Sequence, residues 1–376
     1  MKREFIIGAL LLCCAAGYAI KPKPLVYNGD TLQQSNIFRR SKIGVVSTGL
    51  DIQEVSGIAC SRVTPGYIWM QSDNEDKING KYDNDHIIAT DPSGAKLYTR
   101  VNFLNLDNAG IRFWDWEDMS GGVYDGKNYL FIGAFGDNDE VESHYSIVYF
   151  EEPAITEGKT ISITPSQIRY VYPDGKSHNC EALMYDNVEQ MLYIITKVYY
   201  NVCQVFSLPF RLDYGKEKQT LTYVCDLGVK SDLGPAEATN PWRGFHLVTG
   251  ADISPDGKYI LIKNHNNIEA IYSWVLYWER EGDESVAETV KRQPVVLDCY
   301  QSEWQGEAIC WLDDNIFYTT SDSDGEPPIY KYTRRQNTAV DDARIDAQPA
   351  TLQLIDNKLF VRTNSGLYAI DGQKVK

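Results

Sequence analysis

The chain is a succession of short apolar runs, each closed by a polar turn. Tyr67–Met70, Leu130–Ile132, Leu192–Ile195, Tyr259–Ile262 and Ile316–Thr319 are typical. They are rich in β-branched and aromatic residues, which suit a pleated and packed surface. Turn punctuation recurs between runs, as in Asp91-Pro-Ser-Gly94, Tyr172-Pro-Asp-Gly175 and Ser254-Pro-Asp-Gly257. No long stretch carries apolar residues at a 3.6-residue period, so little helix is expected.

An internal repeat organises these strands. Five segments align: Val55–Ala59, Trp116–Ser120, Cys180–Met184, Gly250–Ser254 and Gly306–Cys310. The aligned column holds Ser56, Glu117, Glu181, Ala251 and Glu307, spaced 56 to 70 residues apart. Each segment is followed by a turn and an apolar strand, with room for two further strands before the next. Four short antiparallel strands per unit, repeated about an axis, make an all-β protein of the β-propeller type. About five blades are expected, with six possible. A β-sandwich does not account for the recurring segment. The last unit, from Glu307 to about Tyr332, holds only three strands, and a strand near Ile43–Ser47 is expected to supply the fourth and close the ring.

The ends read differently. Lys2 and Arg3, an apolar run from Phe5 to Ala16, and small residues at Gly17 and Ala19 read as a signal peptide over 1–19. The run is too short to span a membrane. Lipid attachment at Cys13 or Cys14 is the alternative route; either way the expected location is the periplasm, the cell surface or the medium. Residues 20–41 read as an extended lead, 42–334 as the propeller, 335–350 as a polar linker and 351–376 as a short β segment.

Composition narrows the function. The 376 residues carry a net charge of −16, which argues against nucleic-acid binding. The expected state is a monomer without a transmembrane segment. Removing the leader leaves Cys60, Cys180, Cys203, Cys225, Cys299 and Cys310. Cys203 and Cys225 flank a turn near Asp213-Tyr214-Gly215 and read either as a cross-strand disulfide or as two packed thiols. No cysteine or histidine spacing suggests zinc.

Geometry locates the chemistry. The start of each innermost strand and the end of the next lie at the same mouth of the ring. That gathers Glu117, Glu181 and Glu307 with the strand-end residues Asp73, Asp137, Asn138 and Asp322. Carboxylates and amide carbonyls are hard oxygen ligands of the kind calcium takes, so these seven are the candidate metal ligands. Lys197, Lys263, His178 and Glu181 are candidate catalytic groups for a phosphoester attacked by metal-bound water. Trp116, His246 and His265 are candidate ligand contacts; Trp114 and Trp116 read either as sugar platforms or as packing between blades. The plainer alternative for the acidic runs is solvated turns. No nucleophile elbow or phosphate-cradling glycine loop is present.

Asp115–Asp118, Gly136–Asn138, Tyr172–Gly175, Asn179–Leu183 and Gly250–Gly257 together resemble a group of exported bacterial propeller proteins of unassigned activity, over most of Ser56–Tyr332. More distantly, the glutamate-bearing innermost strands and acidic loops are similar to calcium-dependent β-propeller phytases and phytase-like domains. That resemblance implies calcium as cofactor. The expected activity is binding of a small-molecule ligand such as a glycan or phosphorylated compound, or of a partner protein, at the acidic mouth, with calcium-dependent phosphoester hydrolysis there as the alternative. Lys358–Arg362, Gly366–Tyr368 and Gly372–Val375 resemble the end of a type IX secretion sorting domain of Bacteroidetes.

Overall fold

The computed structural model describes residues 25–28, 30–50, 52, 54–73, 85–106, 110–111, 115–198, 202–231, 246–266, 272–322, 325–335, 351–355, 358–363 and 366–369. The signal-peptide reading, Trp114 and most of the 335–350 linker lie outside them.

Five blades, each with four antiparallel strands, follow one another along the chain, and blades 1, 2 and 4 carry a fifth strand in parallel on the outer edge. Blade 1 is Val55–Cys60, Ile68–Ser72, His86–Thr90 and Leu97–Phe103. Blade 2 is Trp116–Tyr124, Lys127–Ala134, Tyr145–Glu151 and Ser166–Val171. Blade 3 is Cys180–Asp186, Met191–Thr196, Cys203–Pro209 and Thr222–Leu227. Blade 4 is His246–Ile253, Tyr259–Asn266, Tyr272–Glu279 and Val295–Ser302. Blade 5 is Gly306–Asp313, Ile316–Ser321 and Pro328–Arg334, completed by Phe38–Val45 from the other end of the chain. The expected closing strand is therefore present, with its pairing beginning at Phe38. The innermost strands pack in the order 1-2-3-4-5 and back to 1, which closes the ring.

Each junction between neighbouring blades carries its own apolar core. Successive strand residues point to opposite faces, so one strand serves two junctions. In blade 1, Ile58 and Met70 pack toward blade 5, whereas Ala59 and Trp69 pack toward blade 2. This double burial is why runs such as Leu130–Ile132 are unbroken apolar stretches rather than alternating ones.

The N-terminal stretch adds more than a lead. Gln34–Ser35 pairs in parallel on the outer edge of blade 4. Leu25–Tyr27 pairs with Val229–Ser231. The C-terminal unit, from Arg335 to Lys376, contains a three-stranded antiparallel sheet of Thr351–Ile355, Lys358–Thr363 and Gly366–Ala369.

Candidate functional site

Every innermost strand carries a register irregularity near its start. A bulge inserts an extra residue, bends the strand and re-aims a side chain. In blade 1 the extra residue is Ser56, between Val55 and Gly57. In blade 3 it is Glu181, and in blade 4 it is Thr249. Glu117 and Glu307 fall within the corresponding irregularities of blades 2 and 5. The structural column is thus Ser56, Glu117, Glu181, Thr249 and Glu307, every member buried. The sequence alignment placed Ala251 in this column, two residues too late. A two-residue slip preserves strand facing, and an uncharged Thr249 gave no acidic signal to correct it.

The following position holds Gly57, Asp118, Ala182, Gly250 and Ala308. It faces a crowded axis: a β-carbon on Gly57 would press on the backbone of Asp118 and Met119. Four small residues leave room for one large one, Asp118. Its carboxylate accepts hydrogen bonds from backbone N–H groups of Met119 at 2.8 Å, Leu183 at 2.9 Å and Ala251 at 2.9 Å. These donors come from blades 2, 3 and 4, so one side chain ties three blades at the axis. Burial pushes the Asp118 carboxyl well above the ordinary range, opposed by those three N–H groups. Asp252 does related work: it accepts from Trp311 N at 2.8 Å and from the Ser120 hydroxyl at 3.3 Å. Burial raises its pKa to about 6. Sequence reading did not single out either residue.

The mouth is built above this layer. Asp73, at the end of the second strand of blade 1, Asp115, just ahead of blade 2, and Glu117 each place a carboxylate oxygen within 4.8 Å of the others'. Asp115 holds φ at 60°, a left-handed conformation that Asp tolerates better than most residues. Its N–H donates to Asp73 O at 3.2 Å and its carbonyl accepts from Gly136 N at 3.2 Å. Gly136 is required there, since a β-carbon would collide with the carboxylates of both Asp115 and Glu117. Ser56 Oγ donates to Glu117 at 3.2 Å.

Glu181 accepts from Lys197, which leaves the end of the neighbouring strand, and both are buried. Glu307 is 4% exposed. Its buried Oε2 accepts no hydrogen bond among the described residues. Burial, then the charges of Glu181, Asp73 and Asp115, hold the Glu117 carboxyl well above its usual range, with Lys197 opposing. Burial, then Asp322, does the same to Glu307; Glu181 and Asp73 add to it and Lys197 again opposes. Among the described residues, Asp73, Asp115, Glu117, Glu181, Glu307 and Asp322 thus form one electrostatic group with Lys197 inside it.

The remaining candidates have these surroundings. Asp137 accepts from Val141 N at 3.0 Å, Glu142 N at 3.0 Å and the Tyr145 hydroxyl at 2.7 Å, which closes its own loop. Asn138 is exposed and accepts from Asn179 Nδ2 at 3.0 Å. Lys263 is buried against Glu303 at 2.7 Å, and Arg40 reaches the same carboxylate at 3.4 Å. His178 meets Asp174 at 3.0 Å and packs edge-on to Tyr172. His265 is buried in the second strand of blade 4, and His246 opens the innermost strand of that blade. Trp116 is fully buried and packs edge-on to Phe103 of blade 1, so it serves the junction between blades 1 and 2. Cys203 faces Leu227 and Cys225 faces Val205. They are two positions out of register, and no disulfide joins them.

Two mouth features escaped the sequence reading: Asp115, which it did not count among the metal ligands, and Trp304. Trp304, 48% exposed, precedes Gln305, which bonds its indole N–H at 2.8 Å and reaches Asp322 at 3.5 Å.

No protein-family model and no curated protein matches the chain. Solved structures do resemble it. One is the β-propeller domain of Cps50 (Swd1) from Myceliophteria thermophila, at 13% identity over 73% of this chain and 82% of that one, TM-score 0.33. Another is a nidogen/laminin complex, at 10% identity over 80% and 85%, TM-score 0.36. A third is a structural-genomics protein of unknown function from Bacteroides thetaiotaomicron, at 11% identity over 79% and 76%, TM-score 0.37. The propeller assignment stands on the blade pairing and ring closure described above. No described helix is long and apolar enough to cross a membrane.

Proposed function

We propose that this propeller is an exported calcium-binding protein whose acidic mouth takes a ligand through the bound ion. The supporting observation is the triad Asp73, Asp115 and Glu117, with oxygens within 4.8 Å of one another, beside the unpartnered Oε2 of Glu307. Two oxygens on one calcium stand at most about 5 Å apart, so the triad has the right span. Carboxylates this close, two of the three buried, repel one another unless protonated or neutralised, and a divalent cation removes that cost. The charge of Glu181 bears on both Glu117 and Glu307, which adds to the negative potential at the mouth. An ion held there keeps coordination positions toward solvent for a glycan, a phosphorylated compound or a carboxylate of a partner protein.

Phosphoester hydrolysis at the same ion is the second reading. It is favoured by Lys197, whose ammonium bears on both Glu117 and Glu307. Lys197 is already paired with Glu181, and Lys263 and His178 are held by Glu303 and Asp174. Binding is therefore the better supported activity.

Calorimetric titration with calcium, with melting curves in chelator, tests the proposal. Saturable binding that falls 10- to 100-fold in Glu117→Gln is expected, with a lower melting temperature in chelator. Absence of binding in the wild type would reduce the mouth to a protonated acidic cluster. Calcium-dependent phosphate release from a panel of phosphoesters would raise the second reading above the first.

A further inference from the structure

Cys60 ends the innermost strand of blade 1 and Cys310 lies within that of blade 5. They face each other in the apolar core between these blades. Their sulfur atoms are 3.4 Å apart and 250 residues separate them in sequence. Both are buried, at 7% and 1% exposure. Among the described residues this is the one place where two cysteine sulfurs are in contact. The junction is also where the ring is completed, because blade 5 receives its outer strand from the N-terminal end.

We propose that Cys60 and Cys310 form a disulfide that seals the ring between its first and last blades when the protein folds in an oxidising compartment. Both are free thiols in this structure; a disulfide needs sulfurs at about 2.05 Å, so they must approach by about 1.3 Å. The export expected from the N-terminus leads to such a compartment. The chemistry is thiol–disulfide exchange with a disulfide oxidant such as glutathione disulfide. One cysteine thiolate attacks the oxidant, forms a mixed disulfide and expels one thiolate. The second cysteine thiolate attacks the mixed disulfide, forms the Cys60–Cys310 bond and expels the other. The two protein thiols lose their two protons to solvent and two electrons to the oxidant, which ends as two reduced thiols.

Burial shapes the timing. In the closed ring burial pushes the Cys310 thiol well above its ordinary range, which suppresses the attacking thiolate. Exchange therefore belongs to folding, before the junction closes, and the finished bond is shielded from reductants afterwards. A crosslink over so long a loop constrains the unfolded chain strongly. The inference is independent of whether the mouth binds calcium.

The test is to refold the full chain in a glutathione/glutathione-disulfide buffer, alkylate remaining thiols in denaturant and map peptides without reduction. A linked Cys60–Cys310 peptide pair is expected, with Cys180, Cys203 and Cys225 alkylated. Reduction in denaturant followed by refolding in reductant should lower the melting temperature by roughly 5–10 °C. Cys60→Ala/Cys310→Ala should lose that redox difference. Alkylation of both Cys60 and Cys310 in the refolded wild type, or either one linked to another cysteine, would overturn the proposal. The peptide map decides the matter even where the double variant folds poorly.

Discussion

Glu117 and Asp118 are neighbours on one strand, both buried and both pushed toward the protonated form by burial. Their partners separate them. Asp118 points to the axis and accepts three backbone N–H groups from three blades. Glu117 stands among other carboxylates, with one serine hydroxyl as its hydrogen-bonding neighbour among the described residues. A carboxylate satisfied by N–H groups is a tie; carboxylates that face each other need a cation or protons. Burial and acidity alone do not distinguish the two; the donors do.

Substitution of these neighbours should give opposite results. Asp118→Asn places an NH2 group against backbone N–H donors in either amide orientation. A loss of roughly 2–4 kcal/mol is expected in denaturant unfolding, with calcium binding retained by the fraction that folds. Glu117→Gln removes one mutually repelling charge, so the calcium-free protein should gain about 1 kcal/mol while losing calcium affinity. If both variants destabilise alike, the mouth is a structural layer like the axis.

The response to pH sharpens the contrast. Glu117, Glu307, Asp118 and Asp252 all have folded-state pKa values above their ordinary ones. These four groups bind more protons in the folded protein than in the unfolded chain, so the stability they contribute is fullest at low pH and falls as pH rises. The Asp252 share is lost between the ordinary value of 3.8 and about 6. The melting temperature without calcium should fall through that window and continue to fall above it. Saturating calcium should flatten only the part owed to the mouth. A melting temperature that rises with pH in chelator would contradict the assignment of these groups.

The smallest effect concerns Lys197→Met. Losing an ammonium beside the triad should tighten calcium by about threefold to tenfold, read by calorimetry. Unchanged affinity would place Lys197 outside the ion's field.

The architecture was legible in the sequence because each blade repeats one bulged innermost strand, and the bulge wants a polar residue ahead of an apolar run. Blade number and ring closure by the N-terminal strand followed from that. Partners were less legible. Asp137 sits in an acidic run indistinguishable from a ligand loop, yet its oxygens are taken by Val141, Glu142 and Tyr145. Lys263 is matched by Glu303, 40 residues away, a pairing that no local pattern encodes. Asp118 and Asp252 lie within the aligned segments, each one residue past the aligned column. Their role appears only when the small residues around them are seen sharing the axis.

The strand Phe38–Val45 sets a schedule for biosynthesis. Ser41 meets Lys331 across 290 residues of chain. At about 5–20 residues per second of synthesis, the strand waits roughly 15–60 s for the edge it will cover. Until then the fifth blade has no outer strand and the first has no closed neighbour. A chain truncated before Pro328 has no edge to receive its own beginning. Such non-local pairing folds slowly, so the circle cannot shut until the last blade has been made.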